Sequence, residues 1–200
     1  MISLCMDSAY KNLILGVYKD KELLAGTSIE AFKKQSETIF VELNRILEEA
    51  KLDYADIDRV VITDGPGSYT GIRIAMTIAK VLCTTMHKEL YCISTMQLYA
   101  GKEPMANVIL DARSKRAYVA HCENGKIIGQ TTILNVEELD DFFKQLSRNF
   151  IWRRIFNWKR NKTTRLSKEF YWNWRTCIDK VDNIHALVPQ YLKESDAYKV

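Results

Sequence analysis

The segment from Thr63 to Arg73 reads Thr-Asp-Gly-Pro-Gly-Ser-Tyr-Thr-Gly-Ile-Arg and constrains the fold more than any other stretch of the chain. It follows a buried-strand pattern that ends in Val60-Val61-Ile62, and it opens into an apolar run typical of a helix. Where a strand, a glycine-rich turn and a helix N-terminus meet, outward-pointing N–H groups favour negative charge. The segment therefore predicts either an anion-binding loop or a tight turn that binds nothing.

The residue types within this loop explain why it can turn so sharply. Gly65, Gly67 and Gly71 allow positive φ angles or the close approach of another group to the backbone. Pro66 stiffens the turn, and Thr70 is the predicted N-cap of the helix. The spacing of the glycines matches neither a Walker A loop nor a Rossmann fingerprint, so those binding modes are not predicted.

The periodicity of the chain starts the same pattern of strands and helices twice. The first unit consists of three short strands, a helix over 36–51 that Ser36 caps, a strand, the helix after the loop, a further strand and a short helix capped by Ser94. The second unit begins near 103 with three strands and an amphipathic helix over 136–146. The chain is thus predicted to be an α/β protein.

Composition and residue types narrow the classes of function. The hydrophobic content of 47% is enough for a core. The sequence contains no run of 18 apolar residues, so no membrane span is predicted. The N-terminal residues lack the pattern of a signal peptide, so a cytoplasmic location is expected. The five cysteines form no CxxC pair, and none of the three histidines has another at i+4. We therefore predict neither a disulfide framework nor a metal site.

Residues 148–175 differ in composition from the rest of the chain. This block contains all four tryptophans and nine Lys or Arg residues against one acid, Glu169, a net charge of +8 that leaves −4 on the remaining residues. No glycine occurs after Gly129, although a βα unit needs turns. One interpretation is a tRNA-binding segment, with Arg and Lys on phosphates and Trp stacked on bases. Another is a basic surface segment.

A third interpretation, which we favour, is that about 150–178 is translated from a shifted reading frame. The tryptophan codon TGG becomes the glycine codon GGN when it is read one base later, and AGA or CGA followed by A becomes GAA, which encodes glutamate. The shifted frame would restore the glycines and acids that the block lacks, with frame recovered by Val181. Resequencing that finds no compensating insertions or deletions would rule this hypothesis out.

Three segments resemble motifs of the bacterial TsaB (YeaZ) family, whose members are relatives of TsaD and make threonylcarbamoyladenosine on tRNA with it. The segments are Asp64–Ile74, Asp111–Tyr118 and Val188–Leu192. The likeness runs over most of residues 1–147 and again over about 181–197. It implies an α/β fold of the ASKHA (actin/hexokinase-like) type with two duplicated βββαβα-type lobes, the second reduced. The predicted lobes are 1–102, with the partner-binding helices, and 103–200, with 148–178 anomalous.

The family resemblance implies partners and an interface. The expected role is a non-catalytic subunit that pairs with TsaD, works with the ATPase TsaE, reaches tRNA through the complex and forms a homodimer when alone. The resemblance implies pairing through the helices over 36–47 and 70–86. The second of these is apolar nearly all round and must bury both faces, either against a partner or by deep burial within one chain, and the family resemblance favours the partner. The predicted interface residues are Ile39, Leu43, Ile72, Ala75, Met76, Ala79 and Leu82.

The resemblance also bears on ligands. No catalytic residue and no metal site are predicted, because the region that supplies two metal-binding histidines in TsaD has none here. Kinases of this superfamily carry a phosphate-binding hairpin at the position of Asp7 and Ser8, and ATP or ADP with Mg could bind in the complex with TsaD. The candidate anion or nucleotide loop consists of Asp7, Ser8, Gly65, Gly67, Ser68, Thr70 and Gly71.

Two questions stay open at the level of sequence. Asp111–Tyr118 ends a strand and is either a solvated charged turn or a ligand-facing segment. The alternative to a subunit role is a stand-alone ASKHA-type ATPase or a glycoprotease-like peptidase. The ATPase is disfavoured by the absence of glycine from the turn Ser8–Lys11, and the peptidase by the missing histidine pair.

Overall fold

The structure is a computed structural model that describes residues 1–31, 33–139, 141–142 and 178–192, together with the backbone of 155–157. The elements of the first lobe are β1 (Ile2–Asp7), β2 (Asn12–Lys19), β3 (Glu22–Glu30), α1 (Gln35–Ala50), β4 (Arg59–Gly65), α2 (Tyr69–Thr85), β5 (Glu89–Ser94) and α3 (Thr95–Ala100). The elements that follow are β6 (Met105–Arg113), β7 (Arg116–Glu123), β8 (Lys126–Asn135), β9 (Ile155–Asn157) and β10 (Asp179–Lys180). No helix among these described residues is long and apolar enough to cross a membrane.

The two sheets repeat one strand arrangement. The first sheet has the order β10-β5-β4-β1-β2-β3, and the second has the order β8-β7-β6-β9. In the first sheet β1 runs antiparallel to β2 and parallel to β4. In the second sheet β6 runs antiparallel to β7 and parallel to β9. Because both the order and the directions match, the second sheet reproduces the β3-β2-β1-β4 part of the first.

The first core lies between the first sheet and the helices α1 and α2. Alternate residues of a strand point to opposite faces, so Val60 and Ile62 of β4 face this core while Val61 faces the other side. Ile39 and Leu43 of α1 and Ala75 and Ala79 of α2 fill the same cluster. Each fully buried Leu or Ile contributes on the order of 2 kcal/mol to the free energy of unfolding. This burial holds both helices on one face of the sheet.

The second core joins the lobes. It combines the opposite face of the first sheet with α3 and with the inner face of β6 and β7. Tyr10 and Tyr99 meet edge to face with ring centroids 6.2 Å apart, and the hydroxyl of Tyr10 donates to the backbone carbonyl of Asp111 at 2.8 Å. The first lobe and the second sheet therefore share a packed junction next to the end of β1.

Residues 178–192, which we call the C-terminal strap, return to the first lobe. Its strand β10 pairs antiparallel with β5 through Asp179 and Lys180, and Val181, Ile184 and Leu187 pack against the first core. The resemblance implied that Val188–Leu192 fixes the last segment against the sheet, but it did not indicate the pairing of β10 with β5. The division at 102/103 stays a prediction, since the strands before it belong to the first sheet while the strap crosses back over it.

Some local predictions change in the structure. Ser68 rather than Thr70 caps α2, because its Oγ accepts the N–H of Gly71 at 3.3 Å. The helix α1 begins at Gln35 with no side-chain cap, so Ser36 is not its N-cap. Ser94 does cap α3, as predicted.

Two predicted regions fall largely outside the described residues. The predicted helix over 136–146 starts as a 3-10 turn, Val136–Glu138, and most of its remaining residues are not described. The basic, tryptophan-rich block over 148–178 is described only for the backbone of 155–157 and for Ile178. The frameshift hypothesis and the alternatives to it therefore stay as predictions.

Candidate functional site

The candidate site lies at the carboxyl end of β1, where Asp7 is fully buried. Its Oδ1 accepts the N–H of Ala9 at 2.9 Å and the hydroxyl of Thr63 at 2.6 Å. Its Oδ2 is also buried and has no hydrogen-bond partner. Burial raises the pKa of Asp7 to about 6, although the hydrogen bonds from Thr63 and Ala9 act in the opposite direction.

The turn after Asp7 is inserted into the glycine-rich loop. A Cβ at Gly71 would overlap the carbonyl oxygen of Ser8, and a Cβ at Gly67 would lie 2.5 Å from the carbonyl oxygen of Ala9. The Ser8 hydroxyl donates to the Gly71 carbonyl at 2.6 Å, and the Ser68 N–H donates to the Ala9 carbonyl at 2.7 Å. Both glycines are thus needed so that the chain's own backbone can approach.

The third glycine of the loop meets the C-terminal strap instead. Gly65 has a φ of +126°, and a Cβ there would lie 2.5 Å from the carbonyl oxygen of Gln190. The backbone N–H of Gln190 donates to the Asp64 carbonyl at 2.8 Å, and its side-chain amide donates to Asp64 Oδ2 at 2.8 Å. The strap therefore closes over the end of β4.

Asp64 is a second buried carboxyl that the sequence analysis did not select as a site residue. Burial raises its pKa to about 6, its own backbone N–H and Gln190 act to lower the pKa, and the charge of Asp179 raises it further. Its Oδ1 is buried without a hydrogen-bond partner. The signal was present in the sequence, because Asp64 and Gln190 lie in two of the three quoted motifs, but nothing local indicates that they meet.

The structure brings most of the predicted loop residues together but does not shape them as a nucleotide cradle. Six of the seven, all except the exposed Thr70, lie in or against the packed joint between the β1–β2 turn, the loop and the strap. The position of a Cβ at Gly67 and at Gly71 is occupied by backbone of the β1–β2 turn. Among the described residues, no three His, Cys, Asp or Glu side chains are grouped to hold a metal ion. Binding of ATP or ADP with Mg in a complex with TsaD stays a prediction.

Most of the predicted interface residues are buried within the chain. Ile39, Leu43, Ile72, Ala75, Met76 and Ala79 lie in the first core, and Leu82 is half-buried against it. The face of α2 that the sequence analysis offered to a partner therefore packs within the same chain. The outer surfaces of the two helices carry other apolar side chains, Phe40, Val41 and Val81, which are 55%, 64% and 56% exposed.

An aromatic and arginine cluster lies at the N-terminal end of α2. Tyr69 stacks on Tyr191 of the strap with ring centroids 5.1 Å apart, and the Arg73 guanidinium lies 4.1 Å from the Tyr69 ring centroid. Arg73 Nε also donates to the Tyr191 hydroxyl at 3.1 Å. Further along α2, Lys80 donates to the His185 carbonyl at 3.2 Å. These contacts hold the strap along one side of α2 and leave Thr77 and Val81 exposed.

Comparison with known proteins connects this architecture to tRNA modification. The family model of TsaD, described as tRNA N6-adenosine threonylcarbamoyltransferase, matches residues 29–166. The tRNA threonylcarbamoyladenosine biosynthesis protein TsaB of Buchnera aphidicola (subsp. Schizaphis graminum) is 25% identical over 170 residues, which cover 77% of this chain and 80% of that protein. The protein of the same name from Bacillus subtilis is 25% identical over 122 residues, which cover 59% of this chain and only 53% of that protein.

A solved structure shows the same fold. YeaZ from Pseudomonas aeruginosa superposes with a TM-score of 0.74 at 16% sequence identity, and the match covers 96% of this chain and 99% of that chain. At this level of identity the likeness establishes the fold and nothing finer. The predicted α/β fold of the ASKHA type is confirmed by this match, together with the repeated strand order of the two sheets.

Proposed function

Because the chain belongs to the TsaD family, and within it to the TsaB proteins of tRNA threonylcarbamoyladenosine biosynthesis, we propose that it is a non-catalytic subunit that pairs with TsaD. The resemblance noted from the sequence motifs is confirmed by these relatives. In the proposed complex TsaD performs the transfer to adenosine, the ATPase TsaE acts with the pair, and tRNA binds to the assembly. When TsaD is absent, the same surface forms a homodimer.

The observation that carries the pairing is the apolar outer surface of α1 and α2, defined by Phe40, Val41 and Val81. Both helices pack on the same face of the first sheet, so their outer surfaces point to the same side of the molecule. All three side chains are more than half exposed. Large apolar side chains exposed on one side of a molecule favour burial against a partner.

The packing around Asp7 supports the non-catalytic part of the proposal. A carboxylate that binds Mg or activates a nucleophile must reach its substrate. Asp7 is instead fully buried, and backbone fills the space next to Gly67 and Gly71. Turnover of Mg-ATP by the isolated chain that is lost in Asp7→Ala would contradict this part and favour the ATPase alternative.

The pairing is tested by mixing the chain with TsaD from the same organism and measuring complex mass by size-exclusion chromatography with light scattering. The double variant Val41→Arg, Val81→Arg introduces charge on the outer helix surface without touching the core. We expect a native complex and at least a tenfold loss of affinity in the variant, the scale of losing a central apolar contact. Ala75 and Ala79 are unsuitable because arginine at either buried position would disrupt folding.

The matched control is Ile128→Arg, Val136→Arg in the second lobe, where both residues are about half exposed. This control is expected to leave complex formation with TsaD unchanged. An equal loss in both double variants, or no complex from a folded native chain, would contradict the proposed pairing surface. Light scattering of each variant alone tests the homodimer, which should be lost only with Val41→Arg, Val81→Arg.

A further inference from the structure

The C-terminal strap covers a buried carboxyl group, that of Asp64 at the end of β4. The backbone N–H of Gln190 donates to the Asp64 carbonyl, and its side-chain amide donates to Asp64 Oδ2, each at 2.8 Å. Asp64 Oδ1 is also buried but has no hydrogen-bond partner. A buried carboxylate needs donors at both oxygens to offset the loss of water, whereas a neutral carboxyl loses much less hydration. The closed strap therefore favours the protonated form of Asp64.

The groups next to Asp64 strengthen this preference. Burial raises the pKa of Asp64 to about 6, the hydrogen bonds from its own N–H and from Gln190 act in the opposite direction, and the charge of Asp179 in β10 raises it further. On β5, burial raises the pKa of the Cys92 thiol, and the charges of Asp64 and Asp179 add to this rise, so Cys92 is a neutral neighbour. No cation among the described residues offsets the charge of Asp64.

The cations of the strap and of α2 make other contacts. Arg73 and Lys80 of α2 donate to a tyrosine hydroxyl and to a backbone carbonyl of the strap. Lys180 of β10 donates to Glu89 of β5, which lowers the pKa of that carboxyl. Protonation of Glu89 would weaken the strap in acid, so this pair acts in the direction opposite to Asp64.

Asp7 is a second buried acid at the same edge of the sheet, but it lies on the opposite face. Its Oδ1 accepts hydrogen bonds from β4 and from the β1–β2 turn. Its charge adds to the burial that raises the pKa of Tyr99, a residue of the second core. Asp64 lies instead near Cys92, which belongs to the first core, where the strap packs. Asp7 thus matches Asp64 in burial and in its raised pKa, while its hydrogen bonds do not involve the strap.

We propose that the strap is a pH-sensitive cover, closed over Asp64 when this carboxyl is protonated and opening more readily as the carboxyl ionises near neutral pH. Opening returns Asp64 to water and moves Asp179 away from it, so the ionised form gains most from the open state. An open strap also uncovers Gly65 and the side of α2 that carries Arg73 and Lys80. This device goes beyond the proposed function and does not depend on pairing with TsaD.

The direction of the pH dependence follows from the pKa of Asp64, which is about 6 with the strap closed and ordinarily 3.8. Because the closed state raises the pKa, the contribution of Asp64 to closure is complete below pH 4 and is lost as the pH rises through 6. A shift of two pH units corresponds to about a hundredfold in the opening constant. The strap supplies only part of the burial, so we expect a rise of about tenfold between about pH 4.5 and pH 7.5.

The test is amide hydrogen exchange of the full chain by mass spectrometry over this pH range, with each rate divided by the intrinsic rate at that pH. Peptides from 181–192 report opening of the strap, since the N–H groups of Val181 and Gln190 donate to the first lobe. Peptides from β4 report unfolding of the whole lobe. We expect strap amides to exchange faster than β4 amides at every pH, with the tenfold rise toward neutral pH. Strap amides that exchange only as fast as β4 amides would overturn the inference.

The decisive variant is Asp64→Asn, made in a His185→Gln background because histidine side chains titrate in the same pH range. The asparagine keeps an acceptor for the Gln190 amide but carries no charge, so strap exchange should no longer depend on pH. Asp7→Asn in the same background is the matched control and should leave the rise in place. A rise that persists in Asp64→Asn, or that Asp7→Asn removes equally, would overturn the inference.

The variant Asp179→Lys tests the same device without altering a buried group, so it remains decisive if Asp64→Asn does not fold. Asp179 is exposed, and the substitution replaces a like charge beside Asp64 with an opposite one. The ionised carboxylate is then better tolerated under the closed strap, and exchange of the strap at neutral pH should slow by at least about threefold. Exchange that is unchanged or faster would contradict the proposed role of Asp64.

Discussion

The β1–β2 and β6–β7 turns occupy equivalent positions in the two sheets but differ in what covers them. Each follows the first strand of its sheet and begins with an aspartate, Asp7 or Asp111, whose carboxylate accepts the N–H two residues later. The first turn is buried in the glycine-rich loop, whereas the second exposes Arg113 and Lys115. The same local motif is therefore buried against the glycine-rich loop in one lobe and exposed to solvent in the other.

The difference also shows two ways of using glycine. In the first lobe Gly67 and Gly71 are required because Ser8 and Ala9 approach them closely. In the second lobe the backbone adopts left-handed angles that glycine would favour, yet residues with side chains occupy them. Glycine in the sequence thus marked a close approach of two segments, while strain without glycine became visible only in the structure.

The largest expected effect comes from filling the first joint with Gly71→Ala. The new Cβ would overlap the carbonyl oxygen of Ser8, which is backbone and cannot rotate away. We expect a loss of about 3 kcal/mol or more in the free energy of unfolding, measured by urea denaturation. Gly129→Ala is the control, because no atom lies within 4 Å of its Cβ and only its φ of +78° is unfavourable, at about 1 kcal/mol. Equal losses would contradict the close approach.

The burial of Asp7 predicts a pH dependence of stability. The pKa of both Asp7 and Asp64 is raised from 3.8 to about 6, so the folded state favours the protonated acids. The preference of the folded state for the protonated acids adds about 3 kcal/mol for each group to the free energy of unfolding. This contribution is complete below pH 4 and is lost as the pH rises through 6. Asp7→Asn and Asp64→Asn should each remove part of this decline, and the double variant should remove both contributions. An unchanged decline in urea unfolding between pH 4 and pH 7 would contradict the burial of these acids.

The third glycine tests the joint with the C-terminal strap. Gly65→Ala combines a positive φ with a Cβ 2.5 Å from the Gln190 carbonyl, so we expect a loss of about 2 kcal/mol and release of the strap. Limited proteolysis followed by mass spectrometry would detect new cleavage within 178–192. In comparison, Gln190→Ala removes only the side-chain hydrogen bond to Asp64 and should cost about 1 kcal/mol. Greater cleavage in Gln190→Ala than in Gly65→Ala would show that the side chain rather than the backbone holds the strap.

The smallest expected effect is the most direct comparison of the two turns, because each contains a serine. Ser114→Gly relieves a left-handed residue and should raise the free energy of unfolding by about 1 kcal/mol. Ser8→Gly removes the hydroxyl that donates to the Gly71 carbonyl and should lower it by about 1 kcal/mol. Opposite signs in urea unfolding would support the difference between the turns, and a loss at both positions would mean that the second turn is not strained.

Much of the fold could be predicted from the sequence, because strand and helix periods are local. The strand before the glycine-rich loop, the helix after it and the repeated pattern of three strands all occur where the residues indicate. The exposed face of α2 was less predictable, because the apolar periodicity of the helix does not say which face meets its own sheet. The structure buries Ala75 and Ala79 and leaves Val81 outside.

The candidate site was predictable only in its residues and not in their relations. Asp64 and Gln190 are 126 positions apart, and no short-range pattern indicates that the side-chain amide of Gln190 donates to the Asp64 carboxylate. The turn Ser8–Lys11 and the glycine-rich loop were each identified from local chemistry, but their insertion into one another depends on the parallel pairing of β1 with β4.

The sequence by itself determined the α/β class, the positions of the sharp turns and the family, because periodicity, glycine placement and short motifs are properties of neighbouring residues. Only the tertiary structure decided what fills the glycine-rich loop, which helix surface remains exposed and which aspartate is buried. Those outcomes depend on contacts between segments far apart in the chain. In such contacts a buried carbonyl or carboxylate needs a hydrogen-bond donor, and each apolar face needs another apolar surface to pack against.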